Sequence, residues 1–240
     1  MATTVPVSGS DRLRDLQAFD DTKAGVKGLV DAGVTTIPYF FRHPPDPLPV
    51  ATPSSEQDAA IPVIDIDLAN KRPPGPSASS RWSNTACPGE LMDEMLAAVR
   101  RFNEDALEAK VPYYTRDTGR KVRFKSNFDL FRSPAAGWRD TLVMEMAPEA
   151  PSPEEIPPAC RGVAVDNAAA VRTLGERLFE LLSEALGLHT AHLGRDAGCM
   201  DGLTMAGVEG RSAALDQLRL PAAAPVDVSA TTATIPRAPP

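Results

Sequence analysis

The longest predicted helix ends in the stretch Leu178-Phe179-Glu180-Leu181-Leu182-Ser183-Glu184-Ala185-Leu186-Gly187-Leu188. This helix is predicted over about residues 158–186, because Pro157 and Pro158 suit a first turn and Gly187 suits a helix end. Its apolar side chains recur at helical spacing and would form one stripe: Val171, Leu174, Leu178, Leu181, Leu182 and Leu186.

Shorter helices and strands are predicted on the N-terminal side of that helix. The helices are placed at 11–32, ended by Gly33, and at 88–110, opened by Pro88. The strands are placed at 61–66, 122–124 and 141–146. Stretches rich in proline, serine or alanine separate these elements: a connector up to residue 60, a loop at 70–88, and a tail at 208–240 that is predicted to be disordered.

The bulk composition argues against several classes of partner and location. The 240 residues carry a net charge of −7, which is unlike a general nucleic-acid or membrane-surface binder. No apolar run is long enough to span a bilayer, and residues 1–10 lack the features of a signal peptide. Cys87, Cys160 and Cys199 are an odd set without CxxC spacing, which favours a reducing compartment such as the cytoplasm.

The chain offers few candidate metal ligands. Of its three histidines, His43 falls in the proline-rich connector and is interpreted as a solvated loop residue. His189 and His192 have His-x-x-His spacing, with Cys199 seven residues after the second. A closed zinc site would need a fourth ligand, and only Asp196 or Asp201 is near in sequence, so a metal site is not the preferred interpretation.

Other charged segments receive ordinary structural interpretations. Glu149, Glu154 and Glu155 precede the long helix and are predicted to stabilise its N-terminus. Residues 120–125 alternate basic and apolar side chains, and a strand with one solvated face is preferred over a phosphate- or acid-binding strip. The sequence contains no GxSxG, GxGxxG or Walker loop.

Five short segments, taken in order, carry a resemblance to a known family. They are Gly33-Val34-Thr35-Thr36-Ile37-Pro38, Ile61-Pro62-Val63-Ile64-Asp65, Asn127-Phe128-Asp129-Leu130-Phe131, Trp138-Arg139-Asp140-Thr141-Leu142 and the helix end at 178–188. The set resembles the N-terminal region of plant 2-oxoglutarate/Fe(II)-dependent dioxygenases, in particular the group named for similarity to 1-aminocyclopropane-1-carboxylate oxidase. The resemblance covers about residues 11–207.

The resemblance implies an α+β fold: the N-terminal helix-and-strand region of a jelly-roll (double-stranded β-helix) dioxygenase, with the jelly-roll core largely absent. Residues 1–60 would form an N-terminal helix and proline-rich connector. Residues 61–207 would form the non-haem dioxygenase N-terminal domain, incomplete near 70–88, and 208–240 an off-family tail. In this position of the family, Phe124 and Asn127 would contribute to the wall of the substrate pocket.

The resemblance also implies a catalytic apparatus that these residues do not supply. Intact members use Fe(II), 2-oxoglutarate and ascorbate. They hold the iron with a His-x-Asp…His triad, which leaves three coordination positions for 2-oxoglutarate and oxygen, and the 2-oxoglutarate carboxylate with an Arg-x-Ser pair. This chain has no His-x-Asp and no histidine after His192, and Arg211-Ser212 and Arg237 do not form the Arg-x-Ser pattern. No catalytic, metal-binding or cofactor-binding residue is therefore predicted.

Two departures from the family pattern suggest a shifted reading frame. Read one base out of frame, codons for Ala233-Thr234-Ile235-Pro236-Arg237-Ala238-Pro239 can encode His-Tyr-Pro-Pro-Cys-Pro, a family segment expected soon after Gly207. Codons for residues 82–87, shifted by one base, can likewise encode Val-Val-Lys-His-Gly-Val. This is close to the Gly-Phe-Phe-x-Val-x-Asn-His-Gly-Val strand and turn that the family has before the helix at Pro88. The hypothesis is a mis-spliced, mis-annotated or pseudogene sequence.

The sequence thus predicts a truncated dioxygenase relative that is inactive as given, with no obligate partner. Its intact relatives would oxidise a small plant metabolite. One alternative is an active enzyme whose iron is held by His189, His192 and either Asp196 or Asp201. The other is a non-enzymatic interaction protein that binds full-length relatives through its exposed helices.

Overall fold

A computed structural model describes residues 9–42, 63–65, 81–83 and 87–209 of the chain. The helices are α1 (Gly9–Asp21), α2 (Gly25–Asp31), α3 (Gly89–Glu104), α4 (Leu107–Lys110) and α5 (Pro158–Ala185). The strands are β1 (Val63–Asp65), β2 (Arg81–Ser83), β3 (Val122–Ser126), β4 (Asp140–Ala147) and β5 (Leu203–Glu209). Short 3-10 turns lie at Tyr39–Phe41 and Val111–Tyr113, and a π-helical turn at His192–Asp196.

The strands form two separate sheets. β1 and β2 pair in parallel, with Ile64 opposite Trp82. The second sheet has the order β3-β4-β5, and β3 pairs antiparallel with β4 so that Phe124 lies opposite Leu142. The mixed helix-and-strand class is thereby confirmed, with a small antiparallel sheet, whereas the absence of a jelly-roll core stays a prediction.

The described residues fall into two units. The first comprises 9–42, 99–144 and 206–209, and the second comprises 63–65, 81–83, 87–98 and 145–205. An aromatic core holds the first unit together, in which Phe41 contacts Phe40 at a ring separation of 4.8 Å and Trp138 at 5.0 Å. Its buried members are Leu16, Phe19, Val26, Phe40, Phe41, Leu130 and Ala136. Burial of large aromatic side chains of this kind supplies much of the stability of a small unit.

A partly buried ionic network connects α1 to the segment before β3 in this unit. The Asp20 carboxylate accepts hydrogen bonds from the Tyr114 hydroxyl and from Arg116, whose Nε lies 2.7 Å from Asp20 Oδ2. Arg116 also donates to the carbonyls of Ser126 and Asn127. Burial and the neighbouring carboxylate together raise the pKa of Tyr114, because both disfavour its anionic form.

The single helix predicted over 11–32 is wrong, because the chain breaks between α1 and α2. Lys23 has φ 54° and Gly25 has φ 66°, both in the left-handed region. The carboxylate of Asp140, at the start of β4, accepts from the backbone N–H groups of Val26 at 2.8 Å and Lys27 at 3.0 Å. It thereby satisfies N–H groups in the first turn of α2 that have no partner inside the helix.

Other predicted boundaries were closer to the structure. The long helix is confirmed at Pro158–Ala185, and Gly187 follows it with φ 72°. The helix predicted over 88–110 ends at Glu104, and α4 follows it separately. The loop predicted at 70–88 is wrong at 81–83, which form β2, and the tail predicted from 208 is wrong at Val208 and Glu209, which continue β5. The proline-rich connector at 43–60 and the tail from 210 lie outside the described residues.

Candidate functional site

Three side chains that could share a metal ion meet just beyond the end of α5. They are His189, His192 and Asp196, and one potential ligand atom from each lies within 4.8 Å of the others. His189 Nε2 is 2.7 Å from Asp196 Oδ2, and His192 Nδ1 is 3.8 Å from the same oxygen. The two imidazole rings lie edge to face with centroids 5.5 Å apart. The arrangement therefore presents two imidazoles and one carboxylate to a common point.

The backbone that carries these residues is a sharp reversal followed by a wide turn. At the end of α5, Gly187 N donates to Glu184 O at 2.9 Å and Leu188 N donates to Ser183 O at 2.9 Å, which closes the helix through a left-handed glycine. In the following turn Ala197 N donates to His192 O at 2.9 Å, a five-residue spacing typical of a π-helix. Because His192 and Asp196 stand four residues apart on this turn, they share one face.

The π-helical turn is tied to α5 by Ser183, which has no exposed surface. The Ser183 hydroxyl donates to Phe179 O at 2.7 Å and accepts from Leu193 N at 3.1 Å. Met200 packs beside Gly175 and Gly194, where an added Cβ would lie 3.4 and 3.7 Å from its side chain. The histidine-bearing turn is thus held in place by a helix on one side and by its own continuation on the other.

The residues that meet in the structure are only some of the candidate ligands predicted from sequence spacing. Cys199 and Asp201 are not part of it, whereas Asp196 is. Asp201 instead lies against Gly198, where an added Cβ would be 2.6 Å from its carboxylate. The side chains of His189, His192 and Asp196 are 62%, 40% and 46% exposed, so solvent reaches all three ligand groups. His43 lies outside the described residues.

Phe124 and Asn127, the predicted pocket-wall residues, are both buried. Phe124 is 1% exposed and packs edge to face against Phe102 at 5.2 Å and Tyr114 at 5.7 Å. Asn127 is 2% exposed and has φ 51°. Their role in a pocket stays a prediction.

The side-chain amide nitrogen of Asn127 lacks a hydrogen-bond partner among the described residues, as do buried polar atoms of Asn103, Trp138 and Asn167. The backbone N–H of Asn127 donates to Arg139 O at 3.2 Å, and its carbonyl accepts from Arg116. Its Nδ2, by contrast, is buried without a hydrogen-bond partner among the described residues. A buried amide donor without a partner is uncommon in folded proteins and suggests a place where a polar group from outside could bind.

The basic strand β3 is more buried than expected. Every residue from Val122 to Ser126 is buried, so the prediction of one solvated face is wrong. Arg123 donates to the carbonyls of Thr118 and Arg120. The Lys125 ammonium lies 3.9 Å from the centroid of the Phe128 ring, and burial lowers the pKa of Lys125. Backbone carbonyls and an aromatic face thus lie beside these two cations.

No protein-family model matches the chain. Among curated proteins it is 42% identical over 221 residues to 1-aminocyclopropane-1-carboxylate oxidase homolog 1 of Arabidopsis thaliana, a match that covers 86% of this chain and 60% of the relative. A homolog from Solanum lycopersicum is 41% identical over 198 residues, covering 76% and 54%, respectively. A probable 2-oxoacid dependent dioxygenase of Arabidopsis thaliana is 38% identical over 213 residues, covering 81% and 57%.

By sequence, the chain is a relative of the 1-aminocyclopropane-1-carboxylate oxidase homologs. It spans 54–60% of the length of these three relatives. The structure is similar in fold to the crystal structure of JOX2 in complex with 2OG, Fe and JA, with a TM-score of 0.60. That match covers 77% of this chain and 55% of JOX2 at 20% sequence identity. The predicted family resemblance is therefore confirmed.

Proposed function

We propose that this chain is the N-terminal region of a 2-oxoglutarate- and Fe(II)-dependent dioxygenase and that these 240 residues do not catalyse the family's oxidation of a small plant metabolite by themselves. The observation that carries the proposal is the combination of 38–42% identity to the curated relatives with the lack of any His-x-Asp. His43 is followed by two prolines, His189 by Thr190-Ala191, and His192 by Leu193-Gly194.

The cluster at the end of α5 has the ligand types of a non-haem iron site, but it is not shielded from solvent. Two imidazoles and one carboxylate suit Fe(II), and this observation favours the alternative of an active enzyme. Oxidative chemistry, however, benefits from a site that excludes water, whereas these side chains are 40–62% exposed. The Arg-x-Ser spacing of the family's 2-oxoglutarate-binding pair occurs at Arg81-Trp82-Ser83 in β2. The structure describes the backbone of this strand but not its side chains.

Turnover of 2-oxoglutarate separates these two functions. The purified chain would be reconstituted anaerobically with Fe(II), then supplied with ascorbate, 2-oxoglutarate and oxygen. We expect consumption of 2-oxoglutarate no faster than in a sample with iron but without protein. Consumption that exceeds this background and disappears in His189→Ala would establish the alternative enzyme instead.

The shifted-frame hypothesis accounts for the missing iron ligands. The sequences at 82–87 and 233–239 are the two places where a one-base shift can restore a family segment. We expect the gene to encode Val-Val-Lys-His-Gly-Val and His-Tyr-Pro-Pro-Cys-Pro in a shifted frame at these positions, followed by a His-x-Asp. Nucleotide sequencing of the locus and of its transcript tests this, and codons that give neither segment contradict it.

The assignment of Phe124 and Asn127 to a pocket wall is part of the same proposal and is supported mainly by Asn127. Its unpartnered Nδ2 is a donor that a polar ligand group could accept from, whereas Phe124 is enclosed by other aromatic rings. We place the chain in a reducing compartment such as the cytoplasm, since none of Cys87, Cys160 and Cys199 forms a disulfide.

A further inference from the structure

We propose that His189, His192 and Asp196 bind a single zinc-class divalent ion at the surface turn after α5, as a site of its own rather than as the iron site of the family. The proposal does not depend on whether the chain is catalytically active. It rests on the convergence of the three ligand groups, on the rigidity of the turn that carries them, and on their ligand chemistry.

The distances require only small side-chain movements to accept an ion. Zinc binds imidazole nitrogen and carboxylate oxygen at about 2.0–2.2 Å, so two ligand atoms of a tetrahedral site lie ~3.3 Å apart. The three atoms here already lie within 4.8 Å of one another. Since the side chains are substantially exposed, rotation about their χ angles can close the remaining gap without opening the core.

Hydrogen bonds anchor the backbone of the site to α5. Ser183 joins the turn to α5 through Phe179 O and Leu193 N, and Gly187 reverses the chain in the left-handed region. Because these contacts hold the turn, little conformational entropy is lost when an ion binds, as in other preorganised sites. The contact between His189 and Asp196 also keeps two of the ligands together.

The ligand set selects the class of ion. Two imidazoles favour zinc and its neighbours in the transition series, whereas calcium and magnesium prefer sites made of oxygen. Three protein ligands leave the fourth tetrahedral position to a water molecule or to an acceptor group of another molecule. An exposed site of this kind is accessible to such a fourth ligand.

Zinc competition with a chromophoric chelator tests the site in the full chain. We expect one equivalent of Zn²⁺ to be withdrawn from the chelator by the wild-type chain. Each of His189→Ala, His192→Ala and Asp196→Asn should weaken that binding at least about tenfold, since even the partners of metal ligands contribute 10–100-fold. His43→Ala is the matched control, because it removes the remaining histidine of the chain, and it should bind like the wild type.

The zinc-binding results of the variants either support the proposed site or overturn it. Equal zinc binding by all four variants and the wild type, or no binding by the wild type, overturns the proposal. Circular dichroism of each variant identifies any loss of folding, and a His189→Gln variant, which keeps a polar side chain, should still lose zinc. Excess Ca²⁺ or Mg²⁺ should not displace the ion, and displacement by either would also overturn the proposed chemistry.

Discussion

At the scale of single residues, the most constrained contact is the one between Asp140 and the first turn of α2. Asp140 is 2% exposed, and its two carboxylate oxygens each accept from one backbone N–H. Gly25 packs directly against this carboxylate, where an added Cβ would lie 2.5 Å from Oδ1 and 2.6 Å from Oδ2. The absence of a side chain at Gly25 is what allows the carboxylate to reach the helix.

Gly25→Ala should therefore destabilise the protein through two effects. The left-handed φ of 66° costs an alanine about 1–2 kcal/mol, and the overlap with Asp140 adds to it. Gly33→Ala is the matched control, because Gly33 has φ 72° but no atom within 4 Å of its added Cβ. Urea unfolding should give a loss for Gly25→Ala that exceeds the Gly33→Ala loss by at least about 1 kcal/mol. Equal losses would show that the overlap with Asp140 is unimportant.

The buried carboxylate of Asp140 should also give the stability a pH dependence. Burial raises its pKa above the ordinary value of 3.8, although the N–H groups of Val26 and Lys27 oppose this. Between the unfolded and folded pKa values, the native state retains a proton that the unfolded state releases, so this contribution to stability falls as pH rises through that window. Asp140→Asn lacks the titration.

The stability of the wild type relative to Asp140→Asn should consequently be greater at pH 4 than at pH 7. Denaturant unfolding of both proteins at the two pH values measures this difference, and titrations elsewhere in the chain largely cancel in the comparison. A difference that increases from pH 4 to pH 7 would mean that the hydrogen bonds to α2 outweigh burial.

At the scale of elements, α5 shows a sharp contrast between adjacent leucines. Leu181 is 2% exposed, whereas Leu182 is 47% exposed. Leu181→Ala should cost about 2–5 kcal/mol because it leaves a cavity, and Leu182→Ala, as the control on the same helix turn, should stay within about 1 kcal/mol of the wild type. Thermal or urea unfolding of the two variants checks this. Similar losses for both would indicate that Leu182 is covered in solution.

The comparison of α5 with α1 and α2 shows which elements a sequence can reveal. The bounds of α5 are set by local signals, namely the prolines at 157 and 158 and the glycine at 187, and they were predicted to within one residue. The break between α1 and α2 depends on Asp140, which is 114 residues from Val26. No pattern confined to residues 11–32 contains that contact, so helical spacing alone suggested one helix.

The metal cluster was only half visible in the sequence for a similar reason. The sequence indicates His189 and His192, with Cys199 as the third ligand of a zinc site and Asp196 or Asp201 as a possible fourth. For an iron site it leaves the choice between Asp196 and Asp201 open. The π-helical turn places Asp196 on the face of His192 and leaves Cys199 beyond the end of the turn. The four-residue spacing of His192 and Asp196 is the sequence feature that predicts their shared face. No feature of the sequence predicts that Ser183 anchors the turn to α5.

At the scale of the whole molecule, the described residues leave several large apolar side chains exposed. They are Leu13, Met92, Leu96, Leu107, Phe128, Val165, Leu182, Leu186 and Leu188. Burial of apolar area contributes about 25 cal/mol per Å², and exposed apolar side chains do not gain this free energy. The total stability of a typical domain is only about 5–15 kcal/mol. A chain with this surface, which divides into two units, is expected to be marginally stable.

We therefore expect unfolding of the isolated chain to lack a single cooperative transition, so the free-energy losses predicted above refer to the transition that each substitution displaces. Urea curves followed by far-ultraviolet circular dichroism and by tryptophan fluorescence should not coincide, and an apolar dye should bind before unfolding is complete. Coincident, steep transitions from both probes would contradict this expectation.

The long separation in sequence between Asp140 and the helix that it caps has a consequence for biosynthesis. Arg12 in α1 likewise donates to Ser133 across 121 residues. At about 5–20 residues per second, a ribosome takes roughly 6–23 s to translate the 114 residues between Val26 and Asp140. The first two helices are therefore made well before the strand that completes their contacts, and during that interval a holding chaperone has access to apolar faces that the finished protein buries.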